Sequence, residues 1–168
     1  VDTIGKQVWI HSSEGPELTI IDVENQRRGL LFVSGETEET IIEGFTIANG
    51  SSNNGGGMVF ENNSNPTIKD CIFIANNAQN GGGGYIQNSR PVITNCIFQN
   101  NSLVTNNAQQ GGGLNLVADS NAVITNCIFT GNNSAYGGGI SLINSNATIN
   151  GCTFENNTAN YGGGINNN

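Results

Sequence analysis

The chain has 168 residues, the size of one ordinary domain, and asparagine and glycine supply 30 and 24 of them. Only 11% of the residues are charged and the net charge is −8, which argues against nucleic acid and anionic membrane surfaces as partners. No apolar run approaches the roughly 20 residues of a membrane span, so no membrane insertion of this segment is predicted.

Residues 1–54 predict irregular opening coils. Residues 8–12 and 18–22 are rich in β-branched side chains, which predicts two strands, and Gly15-Pro16 turns the chain between them. His11 is the only histidine. It is expected to be a surface residue rather than a catalyst, because the sequence offers no Ser or Cys that it would activate.

Three acidic residues, Glu36, Glu38 and Glu39, cluster in a loop that follows residues 30–33. Their spacing matches neither the EF-hand pattern nor the Gly-Gly-x-Gly-x-Asp repeats that bind calcium. We therefore expect a solvated loop. A calcium site, which needs six to eight oxygen ligands, is the alternative.

Residues 55–168 repeat one motif, in which a glycine run and a short apolar strand precede an isoleucine and then Cys-x-Phe-x-x-Asn. The four cysteines step by 25, 31 and 25 residues. Units of this length that cannot bury an apolar face alone predict stacked repeats. Helical periodicity is absent, so each unit is predicted to be one coil of a β-solenoid, with three short strands. We expect about six coils in a single all-β domain over residues 1–168.

The corner between the second and third strands of each coil is the strongest local signal. Residue types that enter the left-handed conformation cheaply stand there, and a bend at that point turns both the preceding Ile and the following Cys inward. The predicted corner residues are Gly44, Asp70, Asn95, Asn126 and Gly151.

Equivalent side chains of successive coils should stack, because neighbouring strands lie about 4.8 Å apart. Three inner ladders are predicted: an aromatic stack, a row of thiols, and a row of amides that bond from coil to coil. Their members are Phe45, Phe73, Phe98, Phe129 and Phe154; Cys71, Cys96, Cys127 and Cys152; and Asn76, Asn101, Asn132 and Asn157. The thiols are interpreted as small buried hydrophobes, since stacked Cβ atoms lie farther apart than the ~3.8 Å of a disulfide. Disulfide bridges are the alternative.

The recurring Gly-Gly-Gly-Ile/Leu/Met and Phe-x-x-Asn motifs resemble the right-handed parallel β-helix repeats of bacterial secreted and surface proteins, within the pectate-lyase-like superfamily. They are similar to the Gly-Gly-Ala-Ile and Phe-x-x-Asn repeats of chlamydial polymorphic outer membrane proteins, with Gly in place of Ala. The resemblance implies a right-handed parallel β-helix at the cell surface or outside the cell. It also implies a structural or adhesive role.

Repeats build length and surface rather than one unique site, so a non-catalytic extracellular module is the preferred function. Fold analogy supports a polysaccharide lyase or glycoside hydrolase as the alternative. Such chemistry needs paired carboxylates on one face. The first-strand face offers Val59, Glu61, Asn115 and Ser141, which are too few carboxylates, and Asp70 stands at a corner. No catalytic residue, metal or cofactor is predicted.

Two tyrosines, Tyr136 and Tyr161, each precede a glycine triplet and should therefore lie one above the other. Together with Tyr85 and Trp9 they would offer stacking faces to a glycan, so a non-catalytic polysaccharide-binding module is a third functional interpretation. Shielding of the corner is the alternative interpretation of the tyrosine pair. The longest loop, residues 101–111, is where recognition residues are expected. Glycosylation is left open at the Asn-x-Ser/Thr triplets, which begin at Asn49, Asn62, Asn100, Asn132, Asn146 and Asn156.

The chain begins with Val1 and its last seven residues, 162–168, open a seventh coil without a capping segment. Strand edges at the ends of a solenoid must be covered. The sequence therefore predicts either a piece of a longer solenoid or head-to-tail self-association, which forms an open filament unless it closes a ring.

Overall fold

The computed structural model describes residues 1–103 and 110–168. Within those residues the protein contains 23 short strands and no helix. The strands form three six-stranded sheets and a fourth, interrupted sheet, and every strand pairing in them is parallel. The all-β parallel solenoid and its three principal strands per coil are therefore confirmed.

Each sheet takes one strand from each successive coil. Sheet 1 follows the glycine runs and contains Leu30–Phe32, Met58–Phe60, Gly84–Gln87, Leu114–Val117, Ile140–Ile143 and Ile165–Asn167. Sheet 2 contains Trp9–His11, Ile41–Glu43, Thr67–Lys69, Val92–Thr94, Val123–Thr125 and Thr148–Asn150. Sheet 3 contains Ile20–Asp22, Thr46–Ala48, Ile72–Ile74, Ile97–Gln99, Ile128–Thr130 and Thr153–Glu155. Sheet 4 contains Ser51–Asn54, Asn77–Asn80 and Ser102–Leu103 in one part, and Asn133–Tyr136 and Thr158–Tyr161 in the other.

The corner between sheets 2 and 3 turns where the sequence places it. Asp70, Asn95 and Asn126 have φ of 54°, 53° and 53°, and the glycines at the same corner also have positive φ. Asn and Asp tolerate this left-handed region better than other residues with a side chain. As a result, the isoleucine before the corner and the cysteine after it both enter the core, as Ile93 and Cys96 do.

The first glycine of each run makes the sharp turn from sheet 4 to sheet 1. Gly137, for example, has φ of 65°, and a Cβ there would collide with the carbonyl oxygen of Ile140. The third glycine, such as Gly113, lies against the ring of Phe129, where a Cβ would come within 2.8 Å. Glycine is therefore required at this corner both for its conformation and for its lack of volume.

The core contains the aromatic stack on sheet 3. The ring centroids of Phe73 and Phe98 lie 5.0 Å apart, those of Phe98 and Phe129 lie 4.8 Å apart, and those of Phe129 and Phe154 lie 4.9 Å apart. Interplanar angles are between 4° and 8°, so the rings are parallel. Sheet 1 adds a second stacked pair, Phe32 and Phe60, which the sequence interpretation did not include.

The prediction that Phe45 begins this stack is wrong. Ile47, not Phe45, pairs in register with Phe73. Phe45 directly follows the corner residue Gly44, and in the later coils a cysteine occupies the position after the corner. The hydrogen bonds agree, because the Phe45 carbonyl accepts from the Ile72 N–H just as the Cys71 carbonyl accepts from the Ile97 N–H. Gly50 takes the amide position of the same coil, since its N–H donates to the Oδ1 of Asn76 at 2.7 Å.

Replacing Phe129 by Ala should remove a fully buried ring from the middle of the stack. We expect the free energy of unfolding to fall by about 3–5 kcal/mol, as for other buried aromatic residues. Urea unfolding followed by circular dichroism measures it. Ile128→Ala is the matched control, because the Ile128 side chain of the same strand is 39% exposed and should lose less than about 1 kcal/mol. Equal losses in the two variants would contradict the stack.

Candidate functional site

The amide row at the corner after sheet 3 forms a continuous hydrogen-bonded chain. The Oδ1 of Asn101 accepts from both the backbone N–H and the Nδ2 of Asn76, at 3.0 and 3.1 Å. The Nδ2 of Asn101 donates to the Phe73 carbonyl at 2.9 Å and to the Oδ1 of Asn132 at 3.0 Å. The same pattern continues to Asn157. Each buried amide is thereby satisfied and links its coil to both neighbours.

The thiol row contains four free cysteines, of which Cys71, Cys96 and Cys127 are buried and Cys152 is half-buried. Each Sγ donates to the carbonyl two residues earlier, as Cys96 does to Thr94 at 3.3 Å. Burial raises the pKa of the Cys96 thiol well above its usual value, so this thiol stays protonated at neutral pH. A buried, protonated thiol is chemically inert.

A row of buried serines runs parallel to the thiol row at the corner between sheets 1 and 2. The backbone N–H of Ser64 donates to the Oγ of Ser89, and that of Ser120 donates to the Oγ of Ser145, both at 3.2 Å. The sequence interpretation missed this row. The sequence does contain a pattern that identifies the row, because an Asn-Ser or Asp-Ser pair recurs there with the same steps of 25, 31 and 25 residues as the cysteines.

The acidic loop differs from the expected solvated loop at one position, because Glu36 is only 1% exposed. Its Oε1 accepts from the Thr3 hydroxyl and from the Gly5 N–H, both at 3.0 Å, and its Oε2 accepts from the Ser34 N–H at 3.1 Å. Burial acts to raise its pKa, but hydrogen bonds from Ser64 and from nearby backbone N–H groups outweigh burial and lower it. Glu36 thus fastens the first residues of the chain, whereas Glu38 and Glu39 are exposed.

The outward row of sheet 1, which the enzyme interpretation treated as an accessible face, is buried. Val59, Asn115 and Ser141 are at most 2% exposed. The turn glycines cover this row, since a Cβ at Gly111 would lie 2.7 Å from the Cβ of Asn115. In the same sheet Ile86 enters the core, and Tyr85 belongs to the covered outward row. Burial and then the negative charge of Glu61 raise the Tyr85 pKa.

The two tyrosines lie one above the other, as their positions before the glycine triplets predict. The Tyr136 and Tyr161 ring centroids are 5.0 Å apart and the rings are nearly parallel, at 10°. A ligand between two rings needs a separation of about 7 Å, twice the ordinary contact distance. No sugar fits between them, so the two rings pack on each other, and Tyr161 is 60% exposed.

Another aromatic group lies on the outer face of sheet 2. The Trp9 side chain is 60% exposed, and its Nε1–H donates to the Oε2 of Glu43 at 2.8 Å. The same carboxylate forms an ion pair with Lys69 at 3.0 Å, and the Lys69 Nζ lies 5.9 Å from the indole centroid. The His11 ring lies against the indole with the ring centroids 4.5 Å apart and the planes tilted by 31°. Three side chains, His11, Glu43 and Lys69, therefore hold one exposed indole.

The electrostatics of this cluster favour the ionised form of Glu43. Partial burial acts to raise its pKa, whereas hydrogen bonds from Lys69 and Trp9 and the positive charges of Lys69 and His11 lower it below its usual value. The carboxylate that holds the indole is consequently charged across the neutral range.

Over residues 1–103 and 110–168, no three or more His, Cys, Asp or Glu side chains come together as a metal site would require. No helix there has the length and apolar character to cross a membrane. Of the loop 101–111, where recognition residues were expected, residues 104–109 lie outside the described part.

A chain that winds through three parallel sheets, with inward rows of Ile, Cys, Phe and Asn, defines a parallel β-helix. The family model for the right-handed β-helix region matches residues 7–168. The chain therefore belongs to the right-handed β-helix family. The search of curated proteins found no match, and the search of solved structures found none either.

Glu36→Gln should weaken the attachment of the N-terminal residues, because an amide cannot accept at both of its ends. We expect a loss of about 1–3 kcal/mol at neutral pH, as for other hydrogen bonds to a charged group. The pKa of Glu36 is lower in the folded protein than the value of about 4.3 expected in the unfolded chain, so its ionised form stabilises the fold above that pH. This stabilisation is lost as the pH falls through the pKa of Glu36 in the folded protein. The difference between wild type and variant should therefore shrink with acid.

Urea unfolding at neutral and acidic pH measures this difference. Glu38→Gln is the matched control, because its side chain in the same loop is exposed. If the Glu36 and Glu38 variants had equal stability at neutral pH, the attachment would be refuted.

Proposed function

We propose that this chain is a non-catalytic extracellular module, a rigid β-helical segment of a bacterial secreted or cell-surface protein with a structural or adhesive role. The observation that carries the proposal is the coil-by-coil repetition of the inner rows. The amide and aromatic rows join one coil to the next, and the Cys96 thiol also donates to the Ile68 carbonyl of the preceding coil, at 3.7 Å. These residues therefore make the solenoid stiff and let it extend coil by coil.

The outer surface supports the same role. Of the 78 residues from 91 to 168, only Asp119 and Glu155 are charged, so this half presents a neutral surface of amides and hydroxyls. Asp70, a carboxylate that a lyase or hydrolase would need, accepts instead from the Nδ2 of Asn95 at the corner, at 3.1 Å. Glu61 interacts electrostatically with the partly buried Arg28. Burial lowers the pKa of Arg28, and the negative charge of Glu61 opposes part of that shift.

The proposal predicts no turnover of polysaccharides. Reducing-end and unsaturated-product assays on uronate polymers and neutral glycans test it with the purified chain. Turnover that is lost in Glu61→Gln or Asp70→Asn would replace the proposal with the enzyme alternative, because those are the carboxylates available to such chemistry.

We also propose that copies of the chain associate head to tail. The strands Thr148–Asn150, Thr153–Glu155 and Ile165–Asn167 lie at the edges of their sheets in this chain. Ile165 is 40% exposed there, and at the opposite edge Ile20 is 59% exposed. Parallel strands and inner apolar rows would continue across such a junction, giving a heterologous contact.

Association should make the apparent mass rise with concentration. Light scattering over about a hundredfold concentration range, with negative-stain microscopy, measures it. Ile165→Lys should hold the chain monomeric, because a charge on an edge strand blocks further pairing. Thr94→Lys, a mid-solenoid change on the outer face, is the control and should associate normally. A wild-type monomer at every concentration would refute head-to-tail assembly but not the module itself.

A further inference from the structure

The indole of Trp9 is unusual among the exposed apolar groups because the fold holds it in one orientation. Exposed Ile4 and Leu18, by contrast, lie outside the strands. Trp9 belongs to the first strand of sheet 2, and it pairs in register with Ile41, which pairs with Thr67. An outward strip therefore runs from the indole along the solenoid axis over partly exposed side chains.

The contacts that hold the indole come from one side. His11, Glu43 and Lys69 form a single row, two residues farther along their strands than the row that contains Trp9. The His11 ring is tilted by 31° against the indole, and the Lys69 Nζ lies 5.9 Å from the indole centroid. With these contacts in place the Trp9 side chain is still 60% exposed.

We propose that the exposed indole of Trp9 is a binding site for a neutral glycan. One pyranose ring of the glycan stacks on the indole, and the rest extends along the strip of Ile41 and Thr67. The C–H face of a sugar ring carries partial positive charge and complements the negative face of an aromatic ring. A side chain that is already immobilised loses little entropy when a ligand binds, which favours affinity.

Charge selects the class of glycan. Lys69 offsets the charge of Glu43, but Glu38 and Glu39 lie in the same coil as Ile41 and the net charge of the whole chain is −8. A uronate or sulfated polymer would meet this negative field unfavourably, whereas a neutral sugar would not. The stacked tyrosine pair leaves no space for a sugar between its rings, and the exposed Tyr161 lacks the carboxylate and ammonium contacts that hold the indole.

This inference rests on the proposed role as an extracellular adhesive module, and it names the ligand class for that role. It does not depend on head-to-tail assembly. Failure of glycan binding in a chain that shows no turnover would leave a purely structural module, so the two proposals fail separately.

The experiment uses intrinsic fluorescence, because Trp9 is the only tryptophan and reports on this site alone. The probes are cellohexaose, chitohexaose and maltohexaose as neutral glycans, and hexagalacturonate as the anionic comparison. We expect at least one neutral probe to shift the emission in a saturable manner, and calorimetry to give the same Kd. Hexagalacturonate should bind at least about tenfold more weakly.

Variants separate the indole from its support. Trp9→Ala should weaken binding about tenfold or more in calorimetry, and Tyr161→Ala should bind like wild type. Glu43→Ala, which removes the positioning carboxylate, should weaken binding less than Trp9→Ala and should alter the emission of the free protein. Circular dichroism checks that each variant is folded.

Three results would overturn the proposal. One is the absence of an emission shift with every neutral probe at millimolar concentration. A second is neutral-glycan binding that Trp9→Ala leaves unchanged. The third is a preference for hexagalacturonate over all neutral probes.

Discussion

The stacking of each coil on the next in one fixed register is the constraint on which the rest of the molecule depends. Side chains of a strand alternate between its two faces, so a slip of one residue would turn every inner side chain outward. The amide row opposes such a slip, because the Oδ1 atoms of Asn101, Asn132 and Asn157 each accept two bonds from the asparagine of the preceding coil. The parallel aromatic rings and the inward thiols follow from the register that the amides hold.

Sequence alone gave the solenoid, its corners and most of its inner rows, because those features recur with one spacing. Where the recurrence weakened, residue type was a poor guide. Phe45 was assigned to the aromatic row because it is a phenylalanine, although its position after Gly44 places it in the row of thiols. The serine row shows the converse: its residues are small and polar, yet their spacing identifies them as well as the cysteine spacing does.

Contacts between distant residues were beyond sequence reasoning. Glu36 accepts a hydrogen bond from Thr3, which is 33 residues away in the chain. This part of the chain has no repeat, so no periodicity in the sequence predicts the contact. The covering of Val59 and Asn115 depends on how tightly the glycine turn folds back over sheet 1. The fixed indole of Trp9 likewise depends on Glu43 and Lys69, which later coils supply. Such features require coordinates because no local pattern encodes them.

The longer step in the cysteine spacing has a consequence for how this molecule could vary. Between Cys96 and Cys127 the chain carries six more residues than in the adjacent coils, yet Gly84–Gln87 and Leu114–Val117 pair in the same register as the strands around them. The strands before and after the added residues therefore keep one register. The scaffold can acquire new sequence between coils while its sheets stay unchanged, which makes the connections between coils natural places for evolution, or for an engineer, to graft a foreign peptide.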